Sequence, residues 1–413
     1  MSKIMQRLVA GTALTAASAT MALAEGVKLE VTHWWTSGGE AAAVSKFAEA
    51  WNATGNTWVD GAIAGSGGTA RPIIISRILG GDPMAATQLN HGRQAQELIE
   101  AGLLLDLTDV AEAGGWKDIV NPTSLLDACT LEGRIYCVPV NIHSAQWIWL
   151  SHDAYEKAGL TVPTNWHEFV ASSGDLEAAG TLPLAMGQQG WQQNIAFGAI
   201  TLAVAGLDAW TEVNVNKNAD VARGPEYTAA FEAAAASRAL AAKSNVQDWN
   251  QATNMVITGQ AGAQIMGDWA QGEFAVAGAV EGEDYSCLPG LGLNAVLDTG
   301  GDAFYFPVND DPEITAAQKE LAALLISPEV QVSFNLAKGS LPVRGDIDMS
   351  AANGCMQKGL GILADGGVLP SGDISFSQDT TLQIEDLMAQ FWSSDMSAAD
   401  AQAAYAKLIE DAD

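Results

Sequence analysis

Basic side chains are scarce in this chain: 19 Lys and Arg stand against 49 Asp and Glu, a formal charge of −30 at pH 7. A surface that acidic repels phosphate backbones and anionic headgroups, which argues against nucleic acid as a partner. Histidine is scarcer still, and the five residues His33, His91, His143, His152 and His167 show no spacing that a metal would need. HExxH, GxSxG, Walker A and GxGxxG with a following acid are all missing, so zinc hydrolysis, a serine nucleophile elbow and phosphate cradling lose their usual signatures. Past residue 24 no apolar run is long enough to span a bilayer. Low-complexity tracts and internal repeats are absent too, and with 48% hydrophobic and 16% charged residues over 413 positions the chain has material for two or three folded domains.

The first residues read as an export segment. Lys3 and Arg7 precede a small, apolar stretch over 8–22, and Ala22-Leu23-Ala24 has the form accepted by signal peptidase, so Glu25 is expected to begin the mature protein. Four cysteines suit an oxidising compartment. Cys129 and Cys137 bracket a Gly turn between two short apolar runs, the pattern of a clipped hairpin, which leaves Cys287 and Cys355 for each other. Four cysteines allow three pairings, or four free thiols, and the spacing does not choose among them.

Strands and helices alternate along the chain. Residues 28–34 alternate in polarity as a half-buried strand does, and 40–51 place Val44, Phe47, Ala48 and Trp51 at helical spacing behind a Ser37/Glu40 capping box. A second strand is expected over 56–63, a glycine loop over 65–68, a helix entered at Thr69 and Pro72, and a third strand over 85–89. After the cysteine clip, 138–143 form an extended run carrying a proline, read as a crossing between domains. Alanine-rich helices follow over 192–261, then an apolar strand over 303–308, a helix from Pro312 to Leu325, and a loop over 337–344. The fold class is α/β with largely parallel sheets covered on both faces.

Thirteen Trp against six Tyr and ten Phe is an unusual balance, and several indoles fall at predicted strand ends. Trp34 and Trp35 directly follow the first strand, where open α/β sheets bind ligands. Adjacent residues of a strand point to opposite faces, so one ring can stay in the core while the other meets the cleft. Indole faces stack on the apolar face of a pyranose while amides and carboxylates satisfy its hydroxyls, which draws in Trp191 within Gln188-Gln189-Gly190-Trp191-Gln192, and Trp269 beside Asp268. Glu40 has two roles open to it, a helix cap or an acceptor for a ligand hydroxyl. Lys338 and Arg344 flank the last loop as surface ion-pair partners or as buried donors.

The stretches Trp34-Trp35-Thr36-Ser37-Gly38-Gly39-Glu40, Pro139-Val140-Asn141-Ile142-His143, Gly267-Asp268-Trp269, Gly301-Asp302 and Lys338-Gly339-Ser340-Leu341-Pro342-Val343-Arg344 together resemble the periplasmic sugar-binding proteins of ABC importers, in particular the glucose-type members of the two-lobed class. That resemblance implies two α/β lobes of the maltose-binding type with a cleft between them: residues 25–140 plus 299–340, and residues 141–298 plus 341–413. It implies a periplasmic monomer that takes a sugar, without turnover and without a cofactor, and passes it to membrane permease subunits. Trp34, Trp35, Glu40, Gln88, Asn90, Asp302 and Lys338 would line the first lobe, and His143, Gln188, Trp191, Asp268 and Trp269 would approach from the second lobe or the crossing. Asn90 stands where glucose-binding relatives tend to carry lysine, and Asp373 lies where a histidine is often found, so the sugar class widens to pentoses, glucosides and disaccharides. An exported glycosidase or polysaccharide lyase using paired carboxylates is the enzymatic rival, and a binder of a non-sugar osmolyte or peptide is the third reading.

Overall fold

A computed structural model describes residues 26–370 and 372–412. The export segment over 1–24 lies outside the described residues, as do the side chains at 371–373, Asp373 among them. No described helix is long and apolar enough to cross a membrane.

Two main sheets organise the chain. In the first, the strands run in the order Thr57–Ala62, Lys28–His33, Ala86–Asn90, Asp302–Tyr305, Cys137–Pro139. The first three are parallel, Asp302–Tyr305 is antiparallel to Ala86–Asn90, and Cys137–Pro139 is antiparallel to it in turn. Central strands of such a sheet are covered on both faces, and Ala86, Thr87, Gln88 and Leu89 are accordingly all buried. Helix Gly38–Ala53 begins where Ser37 Oγ accepts the Glu40 N–H, and it turns Ala43, Val44, Phe47 and Trp51 inward. Phe47 stacks on Phe334 of helix Pro328–Lys338 with ring centres 4.0 Å apart.

The second sheet runs Tyr285–Pro289, Trp147–Ser151, Ala261–Ile265, Leu182–Ala185, with only the last pair parallel. Trp147 and Trp149, two apart and therefore on one face, stack at 6.0 Å. The alanine-rich region folds as helices Gly190–Val204, Gly206–Asn214, Pro225–Leu240 and Trp249–Ile257, closed by helices Gln378–Ser393 and Ala398–Asp411. Small side chains let these helices approach closely around Phe197, Phe231, Phe391 and Tyr405.

The chain passes between the sheets along segments that hydrogen-bond side by side. Val140 donates its N–H to Asp302 O, Ile142 exchanges backbone bonds with Leu341, and His143 donates to Gly300 O at 2.7 Å. Crossings paired in this way form no flexible tether. Beyond them, Gly345 donates to Ile119 O, so the chain runs along the first sheet's side before helix Gly354–Ala364.

Both cysteine pairs are disulfides: Cys129–Cys137, with Cα atoms 5.1 Å apart, closes the hairpin of Thr130–Leu131 with Arg134–Ile135, and Cys287–Cys355, at 6.0 Å, joins the edge strand of the second sheet to helix Gly354–Ala364. The main sheets are mixed and not largely parallel, with three parallel pairings among seven, because the strands at the crossings return antiparallel. Two local expectations also need correction. The glycine stretch at 65–68 is no loop beyond its first residue: Gly65 and Ser66 take left-handed conformations, φ 103° and 61°, which completes the turn so early that the helix starts at Ser66 and Pro72 falls inside it. Lys338 ends a helix instead of opening a loop, because Gly339, at φ 82°, supplies the left-handed stop.

Candidate functional site

A cavity of about 390 Å³ lies between the two sheets, within the size range of small-molecule sites. Its first wall stands on the carboxyl ends of the first sheet's strands. Trp34, the residue after Lys28–His33, faces the cavity and is 9% exposed, with the Arg71 guanidinium 5.8 Å from its ring centre. Trp35 borders the same space, but its ring packs into the core among Phe47, Phe304 and Phe334, at 1% exposure. The adjacent pair is thus divided between cleft and core.

Behind these rings lies a chain of satisfied polar contacts. Lys338, 1% exposed, donates to Glu40 Oε1 at 3.0 Å and sits 5.8 Å from the Trp35 ring centre. The Glu40 carboxylate thus takes a third role, neither closing a capping box nor left free for a ligand hydroxyl but pairing with the buried ammonium, while its backbone N–H meets the Ser37 cap. Gln88 does not touch the cavity. Its Oε1 accepts the Trp34 N–H at 3.0 Å and its Nε2 donates to Asp302 Oδ1 at 2.6 Å, so it positions two cavity residues from behind. Asn90 does line the cavity and donates through Nδ2 to Gly301 O.

His143, on the first crossing, links the two halves. Its Nδ1 lies 2.7 Å from Asp268 Oδ1 and its Nε2 lies 3.0 Å from Asp302 Oδ2. Two carboxylate oxygens can only accept, so a doubly protonated imidazolium satisfies both contacts. Burial alone would push this imidazole down, yet the flanking carboxylates hold its pKa above the ordinary value. Asp268 is raised by burial, against the pull of His143. Asp302 is held well below the usual carboxylate range because His143, Lys338 and the Asn141 amide outweigh its burial. His91, close behind and fully buried, goes the other way: desolvation brings it down to about 4, and it is neutral.

The second wall is aromatic and amide-rich. Trp269 meets the edge of His143 with centres 4.9 Å apart, and Trp191 lies 6.3 Å from Trp269. Trp191 Nε1 donates to Gln189 Oε1 at 2.6 Å, and Gln189 Nε2 donates to Asp248 Oδ1 at 3.0 Å. Ser66 Oγ, on the first wall, reaches the same Gln189 oxygen at 3.2 Å across the cavity. Gln188, like Gln88, does not line the cavity. The backbone bond from its N–H to Gln247 O leaves its side chain exposed, away from the cavity, and its neighbour Gln189 makes the contacts instead. Asp268 also stands back, accepting the Ser144 N–H behind His143. Arg344 is remote, pairing with Asp346 and donating to Ile326 O, as an ordinary ion pair would.

Several lining residues escaped the sequence reading: Ser66, Arg71, Asp248, Trp249 and Asn250. Trp249 carried a signal, since it follows an acid and an amide in Gln247-Asp248 just as Trp269 follows Asp268.

The family model described as bacterial extracellular solute-binding protein matches residues 35–332. The chain is 35% identical over 367 residues to a probable sugar-binding periplasmic protein of Brucella melitensis, covering 87% of this chain and 86% of the relative. It is 35% identical over 368 residues to a protein of the same description from Rhizobium meliloti, covering 88% and 87%. Among solved structures, a chitin oligosaccharide binding protein superposes with a TM-score of 0.75 at 18% identity, over 94% of this chain and 99% of that one.

Proposed function

Because the chain belongs to the bacterial extracellular solute-binding proteins, we propose that it captures a sugar in the cavity between its sheets and delivers it to the permease of an ABC importer. The observation that carries the reading is the composition of that cavity: Trp34, Trp191, Trp249 and Trp269 offer indole surface from both walls, interleaved with Asn90, Asn194, Asp302 and Lys338. Flat apolar faces set among fixed donors and acceptors suit a ring that is apolar on its faces and hydroxylated at its rim. Relatives named as periplasmic support the same compartment, reached by cleavage after Ala24.

In this reading the first lobe is 25–140 with 299–340 and the second is 141–298 with 341–413, supported by the hydrogen-bonded crossings near residues 140, 300 and 340. Sugar bound by both walls favours the closed arrangement over the open one, and the ligand shifts that balance only by its differential contacts with the two. The protein acts as a monomer and leaves the sugar intact. A thermal-shift panel of mono- and disaccharides tests this: a true ligand at 100 times its Kd stabilises by about 2.7 kcal/mol. Absence of a shift with every sugar, or release of smaller products from any of them, would overturn the proposal.

A further inference from the structure

A second, smaller hollow of about 80 Å³ adjoins the main cavity, sharing Asn194 and Thr381 with it. It lies between helices Gly190–Val204 and Gln378–Ser393, which pack against each other. On the first of these, Asn194, Gly198 and Thr201 are four and three residues apart and share a face. Glycine is the poorest helix former after proline, and its usual excuse is close backbone contact. Gly198 has none, since a Cβ built there would meet nothing within 4 Å. The missing side chain is what leaves the space open. One turn on, Thr201 is 2% exposed and its hydroxyl has no hydrogen-bond partner, a state that buried polar groups rarely keep. Phe197, Phe376 and Tyr405 supply rings around it, and Asn214, whose amide donates to the Tyr227 hydroxyl, closes another side.

We propose that this hollow receives a short acylamino arm carried by the bound sugar. The arm would pass Asn194 and Thr381, set its methyl group among the rings and accept a hydrogen bond from Thr201. The hollow is small beside the main cavity, which suits a short substituent better than a second ring. The inference rests on the sugar reading and names the substituent that reading leaves open.

Calorimetric titration with matched pairs tests it: glucose with N-acetylglucosamine, galactose with N-acetylgalactosamine, and cellobiose with chitobiose. In at least one pair the acetamido sugar should bind tenfold or more tightly than its parent. Gly198→Leu should remove that advantage while the parent's Kd stays within twofold and the melting temperature does not fall, since leucine fills vacant space and favours helix. Thr201→Val should reduce the advantage severalfold, which keeps the test intact if the leucine variant folds poorly. Equal affinity within every pair that binds, or an advantage that survives Gly198→Leu, would overturn the arm and leave the sugar reading standing. Silence from all six sugars would overturn the arm, and the wider panel of mono- and disaccharides then decides the sugar reading by itself.

Discussion

On the first wall of the cavity, Lys338 and Asp302 are 1% and 3% exposed and each already holds a partner, Glu40 in one case and His143 with Gln88 in the other. On the second wall, Trp191, Trp269 and Asn194 keep part of their surface open to the cavity. The first wall is a set of charges fixed in advance, whose orientation a ligand does not have to establish. The second is a set of faces with unspent apolar area. A site divided this way separates hydroxyl selection from stacking, because a preset polar group rejects a ligand that leaves it unpaired far more strongly than an apolar surface does.

Breaking the fixed wall should have the largest effect. Lys338→Met leaves Glu40 as an uncompensated, nearly buried charge and should destabilise folding by about 3–5 kcal/mol, measured by urea unfolding. The double variant Lys338→Met/Glu40→Gln should recover most of that loss; no recovery would mean that Lys338 matters for something other than the pair. On the open wall the expectation reverses: Trp269→Ala should cost about 2 kcal/mol of sugar affinity by calorimetry while stability changes less than it does with Lys338→Met. Equal damage to folding would erase the contrast between the walls.

Two neighbouring imidazoles sharpen the comparison further. His143 is raised, so its contribution to stability is complete below the ordinary value of 6.5 and is lost as pH climbs through its folded value. His91 is lowered to about 4, so its contribution is complete above 6.5 and is lost as pH falls toward 4. Proton NMR should find His143 keeping its proton to a higher pH than an ordinary imidazole and His91 neutral at pH 7, and matching titrations at the two rings would contradict the pairing of His143 with Asp268 and Asp302. The smallest effect is expected at Ser66→Ala. The single hydroxyl proton has a nearer acceptor in Gly65 O, at 2.6 Å against 3.2 Å for Gln189, so sugar Kd should move less than twofold. A tenfold change would reveal a bond between the walls stronger than its geometry allows.

The sheets were readable in the sequence because their strands obey local rules. Residues 28–34 alternate in polarity, and the helix that follows announces itself through Ser37 and the spacing of Val44, Phe47 and Trp51. The early start of the helix at Ser66 was hidden because two left-handed residues made the turn, and proline's first-turn preference pointed three residues too far along the chain. At the site, indoles were found by their abundance and their place at strand ends. Gln88 and Asp268 gave the right chemistry at one remove: their polar atoms hold Trp34, Asp302 and His143 instead of facing the cavity. Which of two adjacent glutamines, Gln188 or Gln189, turns inward depends on a backbone bond to Gln247, sixty residues along the chain in round terms, and no local pattern encodes it.

The bond between Cys287 and Cys355, 68 positions apart, closes a covalent ring around everything that lies between them. Within that ring are strand Asp302–Tyr305, which sits in the opposite sheet, and helices Pro312–Leu325 and Pro328–Lys338, which end at the buried lysine. The excursion into the other half is therefore pinched at its neck. The excursion starts and ends at one covalent link, so even an unfolded chain keeps its two ends within reach of each other, and the entropy of closing that loop is already spent before the other half folds.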